Sequence, residues 1–210
     1  MNLIQSSIAS LLLILFVSIS GCGPQMAGVE TTNGATVVML DNCVEGSSPP
    51  FASVYMFDTG YIPYIGDGLG VVLTADEEGT FHLDGIEEKV LNVQIIDKSK
   101  NLSTLLPVGA KGVTYRSELK ISGRLQGNVE TTGSGRILVF ISGTGYYILL
   151  KEQGVFSFDN LPPGSYIVQA ALLTASENGE KPVLLSSSLK VHATINSDEM
   201  TVLKEKIVIP

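Results

Sequence analysis

The stretch EQGVFSFDNLPPGSYIVQA, Glu152–Ala170, carries the alternation on which the fold turns. Phe156 and Phe158 point one way and Ser157 the other, the period-two signature of a strand with one buried face. Asp159-Asn160 turns the chain, and Leu161 is placed to plug the edge of a core. Pro162-Pro163-Gly164-Ser165 suits a type II turn, with proline fixing φ at the second position and glycine accepting a positive φ at the third. Beyond it Tyr166, Val168 and Ala170 share a face opposite Ile167 and Gln169. The whole is predicted as a hairpin-like pair of strands joined by a stiff turn.

A weaker copy lies upstream. Residues 77–94 slide onto 152–169 at an offset of 75, matching Glu77/Glu152, Gly79/Gly154, Phe81/Phe156, Asp84/Asp159, Val93/Val168 and Gln94/Gln169. The copy departs at its turn, where Glu87-Glu88-Lys89 stands for Pro162-Pro163-Gly164. Val54–Phe57 matches Ile137–Phe140 at an offset of 83, so the first copy carries eight more residues, within Tyr61–Gly70. The reading is an all-β chain with the same sandwich built twice.

The pattern Gly154, Phe156, Phe158, Leu161, Pro162, Gly164, Tyr166, Val168 resembles the carboxypeptidase regulatory-like domain, a small transthyretin-like Greek-key β-sandwich. That resemblance implies a fold and no reaction, because its motif residues are structural. It implies an accessory module of the type that recurs in bacterial surface proteins.

Residues 1–21 contain no Asp, Glu, Lys or Arg, and Ile8–Ile19 is nearly all apolar. A bilayer span needs about 20 apolar residues, so this shorter run reads as the core of a secretory signal. Ile19-Ser20-Gly21-Cys22 resembles a lipobox, which implies a thioether lipid on Cys22, a membrane partner through that anchor, and export to the cell envelope. No basic residue precedes the apolar run, a departure from the pattern, and the alternative is a plain secretory signal, or an uncleaved anchor, with Cys22 an ordinary thiol. Gly23, in place of an acidic residue, implies the outer membrane in a two-membrane cell. With Cys22 lipidated, the remaining cysteine, Cys43, is expected as a buried unpaired thiol; otherwise a Cys22–Cys43 disulfide becomes available.

The formal net charge of −8 belongs entirely to the 189 residues after residue 21. An acidic chain has no general attraction to phosphate backbones, so nucleic acid is excluded as a partner class. The divisions read from the sequence are a signal at 1–21, a polar tether at 22–34, a first β-sandwich at 35–112 and a second at 113–210. Strands are expected at 36–40, 52–57, 70–75, 80–83 and 90–97, with a loop at 41–50 and a linker near 101–114. In the second sandwich they are expected at 119–123, 136–140, 146–150, 183–185, 189–195 and 200–209, with Asn178-Gly179 a tight turn.

Chemistry is sparse. His82 and His192 both fall on the polar faces of strands without a partner motif, and no G-x-S-x-G, HExxH or phosphate loop is present. A hydroxyisourate hydrolase is rejected because its YRGS tail has no counterpart; Tyr115-Arg116-Ser117 is internal. Asp58, Asp67, Asp76 and Glu77 lie near glycines but do not follow an EF-hand spacing, so neither a metal nor a cofactor is expected. The remaining candidate is Tyr61 and Tyr64, on a glycine-flanked insertion where rings can stack on a sugar or a protein partner. The opposing reading of that loop is a fold-back that buries both tyrosines. The expected function is a non-enzymatic envelope module, structural or interacting; the alternative is a glycan- or protein-binding adhesin component.

Overall fold

The computed structural model describes residues 33–66, 68–86, 90–174 and 182–210. These form eighteen strands and no helix. The leader, Cys22 and the tether as far as Thr32 lie outside the described residues, as do Asp67, residues 87–89 and the Asn178-Gly179 turn; Gly34, read as the end of the tether, opens the first strand.

In the first half, β1 (Gly34–Met39), β2 (Cys43–Ser47), β5 (Thr80–Asp84) and β8 (Thr114–Glu118) make one sheet in the order β5-β2-β1-β8. A second sheet runs β4-β3-β6-β7-β9, from β3 (Ser53–Asp58), β4 (Gly70–Thr74), β6 (Leu91–Asp97), β7 (Leu102–Val108) and β9 (Lys120–Ile121). Alternate residues of both sheets, among them Val37, Val44, Phe81, Val54, Met56, Val93 and Ile95, close into one core. The second half repeats the plan. β13 (Gly154–Leu161) pairs with β10 (Gly123–Thr131), whose other side takes the short β17 (Met200–Val202) and β18 (Ile207–Ile209) in parallel. The facing sheet runs β12-β11-β14, from β12 (Tyr147–Leu150), β11 (Arg136–Ile141) and β14 (Gly164–Leu173), with β15 (Leu184–Ser187) and β16 (Val191–Ile195) both on the far side of β14. Their inner residues form a second core.

The repeat therefore holds in three dimensions, with one correction. β13 and β14 do not pair with each other; they lie in opposite sheets, and so do β5 and β6. The segment is an arch between sheets, not a hairpin. Pro162 and Pro163 carry no amide hydrogen to close a ladder, and a left-handed residue re-aims the chain in each copy: Asn160 at φ +58 and, 75 positions earlier, Gly85 at φ +74. In the second arch the buried Tyr166 hydroxyl donates to the Pro162 carbonyl at 2.6 Å.

Two further elements correct the reading from sequence. The expected loop at 41–50 contains β2, in which all five residues are buried. Gly46 lies opposite Phe81 just as Gly127 lies opposite Phe156, and each ring covers the space a side chain would fill. The expected linker near 101–114 contains β7; Pro107 is tolerated there because only Leu102 and Ser103 have a strand on their second side. β8 and β9, assigned from sequence to the second sandwich, pair with β1 and β7 of the first, and Leu119 is buried in the first core. Ser122 alone separates β9 from β10. It is 7% exposed, its hydroxyl is 2.7 Å from that of Ser103, and its amide donates to the Asn101 carbonyl.

Candidate functional site

The eight-residue insertion lies between the two modules. After β3, Tyr61–Ile65 winds into a turn closed by the Gly66 amide donating to the Ile62 carbonyl. Ile62, Tyr64 and Ile65 pack against Leu138, Phe140, Ala171 and Leu173, residues on the face of the β11–β14 sheet that points away from its own core. Tyr64 meets Tyr147 with ring centroids 5.6 Å apart, and Tyr61 stacks on Phe57 at 4.9 Å. Both tyrosines are half-buried.

A polar row completes the contact. The Gly143 amide donates to the Tyr61 carbonyl at 2.8 Å, and the Asn92 side chain donates to the Gly143 carbonyl at 2.9 Å. Gln94 donates to the Tyr146 hydroxyl, which in turn donates to the Asn160 carbonyl. Burial, more than any other influence, pushes the Tyr146 and Tyr166 phenols well above their ordinary value, so both stay neutral donors. Gly143 has φ +69, and a Cβ there would stand 2.5 Å from the Asn92 amide nitrogen and 2.8 Å from the Thr59 carbonyl oxygen. The loop thus grips the second module while the turn after β11 presses on the outer face of the first.

A second cluster lies on the outward face of the first module's β5-β2-β1-β8 sheet. Register sets Cys43 opposite Asp84 and Glu45 opposite His82. His82 Nε2 is 2.9 Å from Asp84 and Nδ1 is 3.5 Å from the buried Glu45. Potential ligand atoms of Cys43, Glu45 and His82 lie within 4.8 Å of one another. Cys43, however, is fully buried and disulfide-bonded, which corrects the expected unpaired thiol. Its sulfur is thus no thiolate ligand, and the cluster offers a carboxylate–imidazole–carboxylate row. Sequence reading missed this row because β2 was taken for loop; a C-x-E and an H-x-D on paired strands was the available signal.

The other candidates are not brought together. His192 is exposed on β16 of the second module, opposite Ile167, while His82 belongs to the first. Asp58 accepts from the Leu69 amide, and Asp76 accepts from Glu78 and from both the amide and hydroxyl of Thr80. The Thr80 hydroxyl, followed by its amide, holds the Asp76 carboxyl below its ordinary value. These carboxylates fix their own turns.

No family model matches the chain, and no curated protein is detectably similar to it. Among solved structures, GBS52, the minor pilin of the Gram-positive pathogen Streptococcus agalactiae, is similar at a TM-score of 0.32 and 8% identity, over 79% of this chain and 85% of that one. That likeness is too slight to argue from.

Proposed function

We propose that the chain is an exported, non-enzymatic module of the cell envelope, a stiff two-part spacer whose sandwiches are of the transthyretin-like type. The observation that carries this is the junction. Ser122 alone joins the modules, and the Tyr61–Gly70 loop and Gly143 turn hold them from two sides. Domains joined by a free linker move independently by default, and an apolar contact on top of a one-residue connection removes that freedom. The repeated arch supports the transthyretin-like assignment, and the apolar leader supports export. In this reading Tyr61 and Tyr64 serve the joint; an adhesin role for them requires the loop to leave Leu138 and Phe140.

Attachment belongs to the N-terminal end. A lipid on Cys22 in the outer membrane is the route the lipobox resemblance implies, and it is open only where Cys22, the one cysteine in the sequence besides Cys43, is not the partner in the Cys43 disulfide. Spin labels on exposed Lys98 and Glu152 test the spacer itself. A single narrow distance distribution is expected, and a broad one overturns the reading.

A further inference from the structure

Glu45 of β2 lies on the face of its sheet turned away from the first core, and only 5% of it is exposed. Its Oε1 finds no hydrogen-bond donor. A buried carboxylate oxygen is costly unless paired, and one without a donor calls for a water or an ion. Register places His82 of the edge strand β5 directly across from it, with Nδ1 3.5 Å from that same oxygen. The contact is not a hydrogen bond.

The other ring nitrogen says which way the imidazole is disposed. Nε2 is 2.9 Å from the carboxylate of Asp84, and a negative oxygen at that distance favours the tautomer with its hydrogen on Nε2. The neutral ring then turns the Nδ1 lone pair toward Glu45 Oε1. Two lone pairs so placed repel, and a cation shared between them is attracted to both. A ring nitrogen free to ligate, with a carboxylate at the opposite nitrogen, is the arrangement of metal-binding histidines.

The distance selects the ion. Tetrahedral zinc, with bonds of ~2.0–2.2 Å, sets neighbouring nitrogen and oxygen ligands ~3.4 Å apart. Octahedral magnesium would set them ~3.0 Å apart, and calcium takes oxygen ligands alone. The 3.5 Å between Nδ1 and Oε1 matches zinc. Cys43 does not join the set, because its sulfur is held in a disulfide.

We propose that His82 Nδ1 and Glu45 Oε1 bind a zinc ion across β5 and β2, with Asp84 as the positioning residue at Nε2. Water completes the coordination from the open side, where the His82 side chain is 39% exposed. The ion pins an edge strand to its neighbour, and with two protein ligands it exchanges readily with zinc in solution.

The test uses the full chain with its disulfide intact and zinc itself as the probe. Calorimetry should show one equivalent bound. In long-range proton–nitrogen spectra the His82 Nδ1 resonance should move, and those of His192, exposed on the other module, should stay. His82→Ala and Glu45→Gln should each abolish the stoichiometric event, and His192→Ala should leave it unchanged. Asp84→Asn should keep the stoichiometry, weaken the affinity about ten- to a hundredfold and shift the tautomer balance of His82 in the zinc-free chain. Excess calcium should displace no zinc. Zinc that moves both histidines alike, that binds His82→Ala undiminished, or that calcium sweeps off is held only by the net negative charge of the chain and overturns the proposal. So does a His82 Nδ1 resonance that stays put at saturating zinc, which would make the ring a doubly protonated bridge between two carboxylates. None of these readouts touches the inter-module distances on which the spacer reading stands.

Discussion

The arch between β5 and β6 turns on Gly85 at φ +74, and the arch between β13 and β14 turns on Asn160 at φ +58. Both are followed by a buried aliphatic plug, Ile86 in one and Leu161 in the other. There the likeness ends. The second arch has two prolines and a tyrosine hydroxyl tied to the Pro162 carbonyl; at the position of Tyr166 the first has Leu91, with no hydroxyl to give. The shape of the crossing is therefore set by one left-handed residue and one plug. The diproline and the tyrosine tie stiffen a path already chosen, and the sequence of the first copy has Glu87-Glu88-Lys89 in place of Pro162-Pro163-Gly164.

The same contrast orders the expected mutational effects. The largest is at the glycines facing phenylalanine. A Cβ at Gly46 would stand 2.2 Å from the Phe81 ring and 2.4 Å from the Thr36 carbonyl oxygen, whereas at Gly127 it meets only side chains, the Phe156 ring at 2.5 Å and Leu203 at 2.9 Å. Gly46→Ala should cost about 3 kcal/mol or more, Gly127→Ala nearer 1–2 kcal/mol, because a backbone oxygen cannot step aside. Urea unfolding read by hydrogen exchange in each module checks the order, and equal costs would refute it.

Next comes Tyr166→Phe, which leaves a buried carbonyl without its donor and should cost about 1–2 kcal/mol in the second module. Its pH dependence has a definite sign. Burial raises the Tyr166 phenol above the ordinary 10.0, so its contribution is intact below pH 10.0 and is lost as pH rises beyond it towards the folded value. Alkaline unfolding should become shallower in Tyr166→Phe, while Leu91→Met in the first module should leave that slope alone.

Gly85→Ala ranks lower. A Cβ there meets nothing within 4 Å, so only the left-handed backbone is penalised, by about 1 kcal/mol in chemical denaturation. Asp76→Asn should do least. The depressed carboxyl contributes above its ordinary value of 3.8 and loses that contribution as pH falls through the lowered one, and its exposure keeps the effect small. Acid unfolding curves of the two proteins should differ only at the acid end.

What could be read from the chain follows from what periodicity reports. Alternation of Phe156, Phe158, Tyr166 and Val168 tells which faces are buried, and those faces are indeed buried. It does not tell which strand is the neighbour, so an arch and a hairpin look alike. β2 was hidden because Cys43, Glu45 and Ser47 are buried on the face opposite the core, so that polar and apolar residues are buried alike. β7 was hidden by Pro107 and the glycines that follow it. The insertion was legible as something special, since Tyr61 and Tyr64 sit in residues the other copy lacks. Its landing place was not, because Leu138 and Phe140 look in sequence like ordinary members of a doubly buried strand.

Stiffness at Ser122 is most directly tested by residual dipolar couplings of backbone amides in both modules. One alignment tensor should fit residues 34–121 and 123–210 together. Gly143→Val, whose side chain collides with Asn92 and the Thr59 carbonyl, should split the fit into two tensors of different magnitude. Two tensors in the unaltered chain would show modules that swing independently, and the spacer would not exist.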